Sequence, residues 1–194
     1  MPGGISHKGR MTAARDRISV AAKGGFAMRR FMLIAAAALG AAAPAAAQEV
    51  QRLGPPDSPI SASVELPRSS RLVYVSGTVP DPADAAAPPG SAQRYGDTAT
   101  QTRSILRKIE GQLAKHGMSL GDIVMMHVFL VAPPDQARMD FAGMMTAYRE
   151  FFGTAAQPNK PARSTLQAAG LVDPGWLVEI EATAAGPKAK GASE

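Results

Sequence analysis

The sequence predicts an α+β protein with the element order ββαβαββ. Runs of Val, Ile and Leu with strand character recur along the chain, two segments repeat apolar residues every three or four positions, and Gly and Pro stand between them.

The first strand is expected in "ISASVEL" from Ile60 and the second in "RLVYVSGTVP" from Arg71, the two paired with each other. Before them, residues 48–59 are rich in Pro and read as an irregular lead-in. Asp81 to Gly96 is dense in Pro, Gly and Ala and reads as a long loop of the kind found at site mouths. Asp97 then opens a helix whose stripe is Ala99, Thr102, Leu106, Ile109 and Leu113, and Gly117 closes it. In "DIVMMHVFLV", Val124, Met126, Val128 and Leu130 fall on one face and His127 on the other, as in a central strand that Pro133 and Pro134 terminate. A second helix is expected from about Gln136 to Phe152, burying Phe141, Met144 or Met145, Tyr148 and Phe151 or Phe152, with Gly153 at its end. The stretch "PARSTLQAAGLVDPGWLVEIEATA" supplies the last two strands, paired through a turn with Pro174 first and a positive-φ Gly175 second.

Two amphipathic helices among five strands form a layer on one face of a mixed sheet, which leaves the other face bare. An apolar face of that size is unusual on a soluble monomer, so a closed cyclic oligomer is expected, with Arg163 and Glu179 at clefts where subunits meet.

Charge excludes several functions. The formal charge is +5, but seven of the 21 Lys and Arg residues lie within residues 1–47 beside one of the 16 acids, leaving 14 against 15. A nucleic-acid surface would need clustered cations that the remainder does not have, so no nucleic-acid partner is expected. From Met28, "MRRFMLIAAAALGAAAPAAAQEV" has the basic start, apolar run and small residues of a signal peptide over 28–47, cut after Ala47, and residues 1–27 read as a disordered upstream extension. A chain exported in that way is periplasmic or secreted and keeps no membrane span. Residues 60–186 are taken as the folded domain and 187–194 as a disordered tail. With no cysteine anywhere, thiol chemistry is excluded. His116 and His127 are too few for a triad or a His-rich metal centre, and no Gly-rich phosphate loop follows a strand, so neither metal nor cofactor is expected.

Arg163 opens one late strand, and Glu179 and Glu181 share a face of the next. Taken alone, these charges fit a solvated sheet face as well as a site.

The fragments "YVSGTVP", "GDTATQTRSILRKIEGQLAKHGMSLGDIV", "VFL", "FAGMMTAYREFF", "PARSTL" and "PGWLVEIEATA", in this order, resemble the Rid family (RidA/YjgF) across nearly all of residues 60–185. The resemblance implies a chorismate-mutase-like α+β fold, a homotrimer with inter-subunit clefts, and hydrolysis of 2-imino acids to 2-keto acids and ammonia. It assigns the substrate carboxylate to Arg163, the attacking water to Glu179, a structural place to Glu181, and cleft positions to Ser76, Gly77 and Thr165. Two positions depart from the family pattern: Ile60 stands where the family has tyrosine, and Met145 where it has asparagine. Both exchanges remove a polar group, implying a bulkier substrate or weaker activity on the smallest imines. A non-catalytic trimeric binder of apolar carboxylates is the alternative, with a trimeric holdase behind it.

Overall fold

The computed structural model describes residues 49–187. The signal peptide expected at 28–47, the extension expected before it and the tail expected beyond 187 lie outside the described residues.

A two-stranded ribbon leads the chain. Gln51–Leu53 (β1) pairs antiparallel with Ser63–Glu65 (β2), with Arg52 opposite Val64. The segment from 48 to 59 therefore carries a strand that composition did not reveal, and the strand at 60–66 is shorter and pairs backwards rather than with the strand after it. Local turn chemistry explains this. The Ser58 N–H donates to the Pro55 carbonyl at 3.1 Å, folding the chain so that the Ala62 N–H meets the Leu53 carbonyl at 2.7 Å. Pro67, lacking a donor, then ends β2 before it can extend.

The main sheet holds Arg71–Thr78 (β3), Ile123–Leu130 (β4), Ala162–Gln167 (β5) and Val178–Gly186 (β6), in the spatial order β3-β6-β4-β5. β4 and β5 run parallel; the other two pairings are antiparallel. The last two strands are thus not each other's neighbours, contrary to the hairpin expected of them. The parallel pair needs a crossover, which Phe141–Phe151 (α3) provides, and the last strand fills the slot between β3 and β4. The turn ahead of β6 is present, its Trp176 N–H donating to the Asp173 carbonyl at 3.0 Å, but Gly175 is not in the positive-φ region. Glycine is required there by crowding instead: a Cβ would lie 2.8 Å from both the Ser91 carbonyl oxygen and Tyr95 Cδ2.

Within the loop 81–96 a short helix forms, Ala92–Tyr95 (α1), and Thr98–Ala114 (α2) follows. Asp97 caps α2, its carboxylate accepting the Thr100 N–H at 2.7 Å, and Gly117 leaves it with φ +67°. The second long helix begins at Phe141 rather than Gln136, because Asp140 caps it by accepting the Gly143 N–H at 2.8 Å; Gly153 ends it with φ +72°.

Helices α2 and α3 pack together on one sheet face. The core between the layers joins Ile105, Leu106, Ile109 and Leu113 of α2 and Met144 and Tyr148 of α3 to alternate residues of β4 and β6, from Met126 to Leu130 and from Val178 to Ala184. Each fully buried Leu, Ile or Met in this layer contributes roughly 1.5–3 kcal/mol. Phe141, expected in the core, is 43% exposed at the start of α3. On the opposite face of the sheet no helix lies among the described residues, and Leu72, Tyr74 and Leu166 are exposed there, Tyr74 by 75%.

Candidate functional site

Arg163 takes its direction from the parallel register. It stands beside Met126, whose side chain is in the helix-side core, so the arginine also turns toward α3. Its guanidinium carbon lies 4.3 Å from the centroid of the Tyr148 ring and 5.9 Å from that of Phe141. Its nitrogens point at thioethers, Nη2 donating to Met145 Sδ at 3.2 Å and Nη1 lying 3.9 Å from Met144 Sδ. Sulfur is a weak acceptor and a ring face offers only its quadrupole, so neither replaces the hydration a guanidinium loses on burial. Burial accordingly holds Arg163 below its usual arginine range, with the nearby Tyr148 acting in the opposite sense. Burial also pushes the Tyr148 hydroxyl up to about 12, against the pull of Arg163.

Ion pairs among the described residues join Arg103 to Glu150 and Lys108 to Asp81, with a longer contact between His127 and Glu181. No described carboxylate pairs with Arg163. This corner also receives Ile60, because the Tyr148 hydroxyl donates to the carbonyl of Pro59 at 3.2 Å. Thr165 lies two residues beyond Arg163 on the same strand face, its Oγ1 buried and without a partner.

Glu179 belongs to the other face of the sheet. It stands opposite Phe129 in the β4–β6 register and alternates with Val178 and Ile180, both buried on the helix side. Its carboxylate occupies the space over Gly77, where any Cβ would overlap Glu179 Oε1. Ser76 and Gly77 sit in a register break of β3 between Val75 and Thr78, and bulges of this kind re-aim a strand's side chains. Glu181 lies on the same face as Glu179, with Oε2 3.6 Å from His127 Nδ1 across the strand pair.

Two clusters result. One gathers Arg163, Met145 and Ile60 around Tyr148, with Thr165 beside them on β5; the other gathers Glu179, Ser76 and Gly77. Within a protomer the two face opposite sides of the sheet. Sequence reasoning missed Tyr148 as the platform under the guanidinium and missed the contacts of Phe141 and Met144; their spacing from Met145 along α3 was legible, but nothing local shows that β5 aims a cation at them. It also gave His127 no partner. Among the described residues no three His, Asp or Glu side chains are grouped to hold a metal ion, and no helix is long and apolar enough to cross a membrane.

An α+β layer carrying a half-buried arginine without a counter-ion defines the general class, and comparison with known proteins narrows it. Residues 55–186 match the family model described as Endoribonuclease L-PSP. A 3-aminoacrylate deaminase RutC from Acinetobacter baylyi is 34% identical over 126 residues, 65% of this chain and 88% of that protein. A RutC family protein from Pyrococcus horikoshii is 32% identical over 127 residues, again 65% of this chain and 88% of the relative. Among solved structures, a conserved Rid family protein from Yersinia pestis shares the fold with a TM-score of 0.54 at 22% identity, covering 71% of this chain and 98% of that one. The chain belongs to the Rid (RidA/YjgF) family.

Proposed function

We propose that this protein hydrolyses reactive 2-imino and enamine acids, releasing ammonia and a 2-keto acid, and that it does so as a homotrimer in which Arg163 of one protomer meets Glu179 of the next. The observation that carries this reading is the solitary guanidinium of Arg163. A charge held against two sulfurs and an aromatic face is costly unless something anionic arrives, and a substrate carboxylate supplies two acceptors matched to its planar fork. Support for the reaction class comes from the 34% identical relative, whose name places a carboxylate and an enamine nitrogen in one small molecule.

The chemistry needs little from the protein. Arg163 fixes the carboxylate and so the position of the C=N carbon. Glu179 takes a proton from water as its oxygen bonds to that carbon and passes it to the nitrogen, which receives the C=N electron pair; in the resulting carbinolamine the hydroxyl proton moves by the same carboxylate to nitrogen as the C–N bond breaks, leaving ketone and ammonia. Water and imine are consumed and keto acid and ammonia formed, with no change of oxidation state. The trimer is supported by the helix-free face with its exposed Leu72, Tyr74 and Leu166, which three copies would cover, and by the division of the site into two halves on opposite faces of the sheet.

The test is ammonia release from imino acids made in place by an amino-acid oxidase. Acceleration over buffer that Arg163→Ala abolishes is expected; no acceleration, or full activity in that variant, removes the proposal. The division of the site also favours a second reading, a carboxylate binder that never turns over, because the Arg163 cluster by itself contains no base. Calorimetry with 2-keto acids separates the two, since saturable binding without ammonia release belongs only to the binder. Export is part of the proposal: protein recovered from the periplasm or medium should begin at Gln48, and an intact leader on that material excludes the expected cleavage.

A further inference from the structure

Gln101, in the first turn of α2, is completely buried and is a polar residue that the reaction as described does not use. Its side-chain amide meets three backbone groups outside its helix. Nε2 donates to the Gly96 carbonyl at 3.0 Å and to the Gly175 carbonyl at 2.9 Å, while Oε1 accepts the Leu177 N–H at 2.7 Å. Both amide hydrogens and one carbonyl lone pair are thereby spent on the end of the 81–96 loop and on the turn feeding β6. The same turn is held from α1, where the Tyr95 hydroxyl donates to Asp173 Oδ2 at 2.8 Å. Past Leu177, whose carbonyl accepts the Val131 N–H at 2.9 Å, the chain enters β6, and Glu179 is two residues on.

We infer that Gln101 is a positioning residue for Glu179: it fixes the entry of β6 and so seats the carboxylate in the space over Gly77. This rests on the proposed role of Glu179. Water cannot readily substitute for Gln101 at the turn, because its bonds to the Gly175 carbonyl and the Leu177 N–H are buried and those groups would otherwise be left unpaired. Arg163 is held by other contacts on another strand, so loss of Gln101 should spare carboxylate binding while misplacing the carboxylate that directs water.

Two measurements on full-length Gln101→Leu test this. In imine hydrolysis kcat should fall about tenfold or more with KM changed by less than about threefold, and Gln101→Glu, which as the neutral acid keeps the acceptor for Leu177 and one of the two donors, should fall between that variant and the wild type. Hydrogen–deuterium exchange should quicken at residues 177–180 and stay unchanged at 163–167. A merely structural glutamine would lower Tm while leaving kcat intact below the transition, and that result overturns the inference. Should the wild type release no ammonia, the reading of Glu179 as base fails by itself, and exchange still decides whether Gln101 seats β6: unchanged protection at 177–180 refutes it. If the leucine variant does not fold, both measurements are made on Gln101→Glu, where the same outcomes apply.

Discussion

Arg163 and Glu179 are separated in the sheet by β4 alone, yet their surroundings were built by opposite means. The arginine is desolvated by its own chain: Tyr148, Met144 and Met145 strip water from it and return only weak contacts. The glutamate is given room rather than partners, through a glycine beneath it and a register break beside it. One half is thus a cation enclosed within the protomer, and the other is a carboxylate on an open sheet face, which in the proposed trimer a neighbour completes. On the proposed function, the contrast teaches that affinity for an anion and chemistry on it are encoded separately, so that each should be removable without the other.

The largest effect should come from the arginine. Arg163→Ala is expected to lower kcat/KM about 10²–10³-fold, because truncating one member of a desolvated charge pair costs roughly 2–5 kcal/mol. Arg163→Met should lose the same activity while folding at least as stably as the wild type, since it removes an uncompensated charge from an apolar setting. Urea unfolding checks the second half of this statement; a clear loss of stability would mean that the guanidinium serves the fold.

Mixing sharpens the comparison further. Arg163→Ala and Glu179→Gln, each inactive alone, should recover activity when unfolded together and refolded at equal amounts. If every site takes its arginine from one protomer and its glutamate from the next, about a quarter of the sites in random trimers are intact. Zero recovery would place both groups of a site in one protomer, against the opposite facing seen here. Next in size is Gly77→Ala, whose added Cβ overlaps the Glu179 carboxylate and must push it aside: kcat should drop roughly tenfold or more. Unfolding stability should change far less than in a core variant, because Gly77 is exposed on β3.

The smallest effect lies far from both clusters. Asp97 accepts the Thr100 N–H, and that bond holds its carboxyl below the usual range. A depressed carboxyl contributes stability above its unfolded pKa and loses it as pH falls through the folded one. Asp97→Ala should therefore cost about 1 kcal/mol at pH 7, and the difference from wild type should shrink as the pH is lowered below about 4. Denaturation curves at the two pH values measure this, and an unchanged gap in acid would show that the cap acts without its charge.

What could be read from the residues divides along the same physical line. Helix α2 was legible because its signals are local: a cap at Asp97, a stripe ending at Leu113, a stop at Gly117. β4 was legible because both its alternation and its apolar density report on nearby packing. Sheet order was not. Nearness in sequence favoured β5 and β6 as a hairpin, whereas the crossover through α3 set β5 parallel to β4 and left the centre for β6. That same long-range pairing decides which way Arg163 points, so the expectation that it is a site residue rested on resemblance, and its thioether and aromatic surroundings could not be deduced. Gly175 shows the subtler case: the need for glycine was legible in the turn, but its cause was the crowding by Ser91 and Tyr95 and not its backbone angle.

Among the described residues the strand that closes this sheet is also the last in chain order, since β6 lies between β3 and β4 yet ends at Gly186. A chain still missing those residues has two strands with an empty slot between them, and α2 keeps α3 and β3 as partners but loses the centre of the sheet beneath it. Completion of the core therefore waits for β6, and a growing polypeptide stays pliable until that strand is available. Losing β6 would cost the molecule its keystone rather than its fringe.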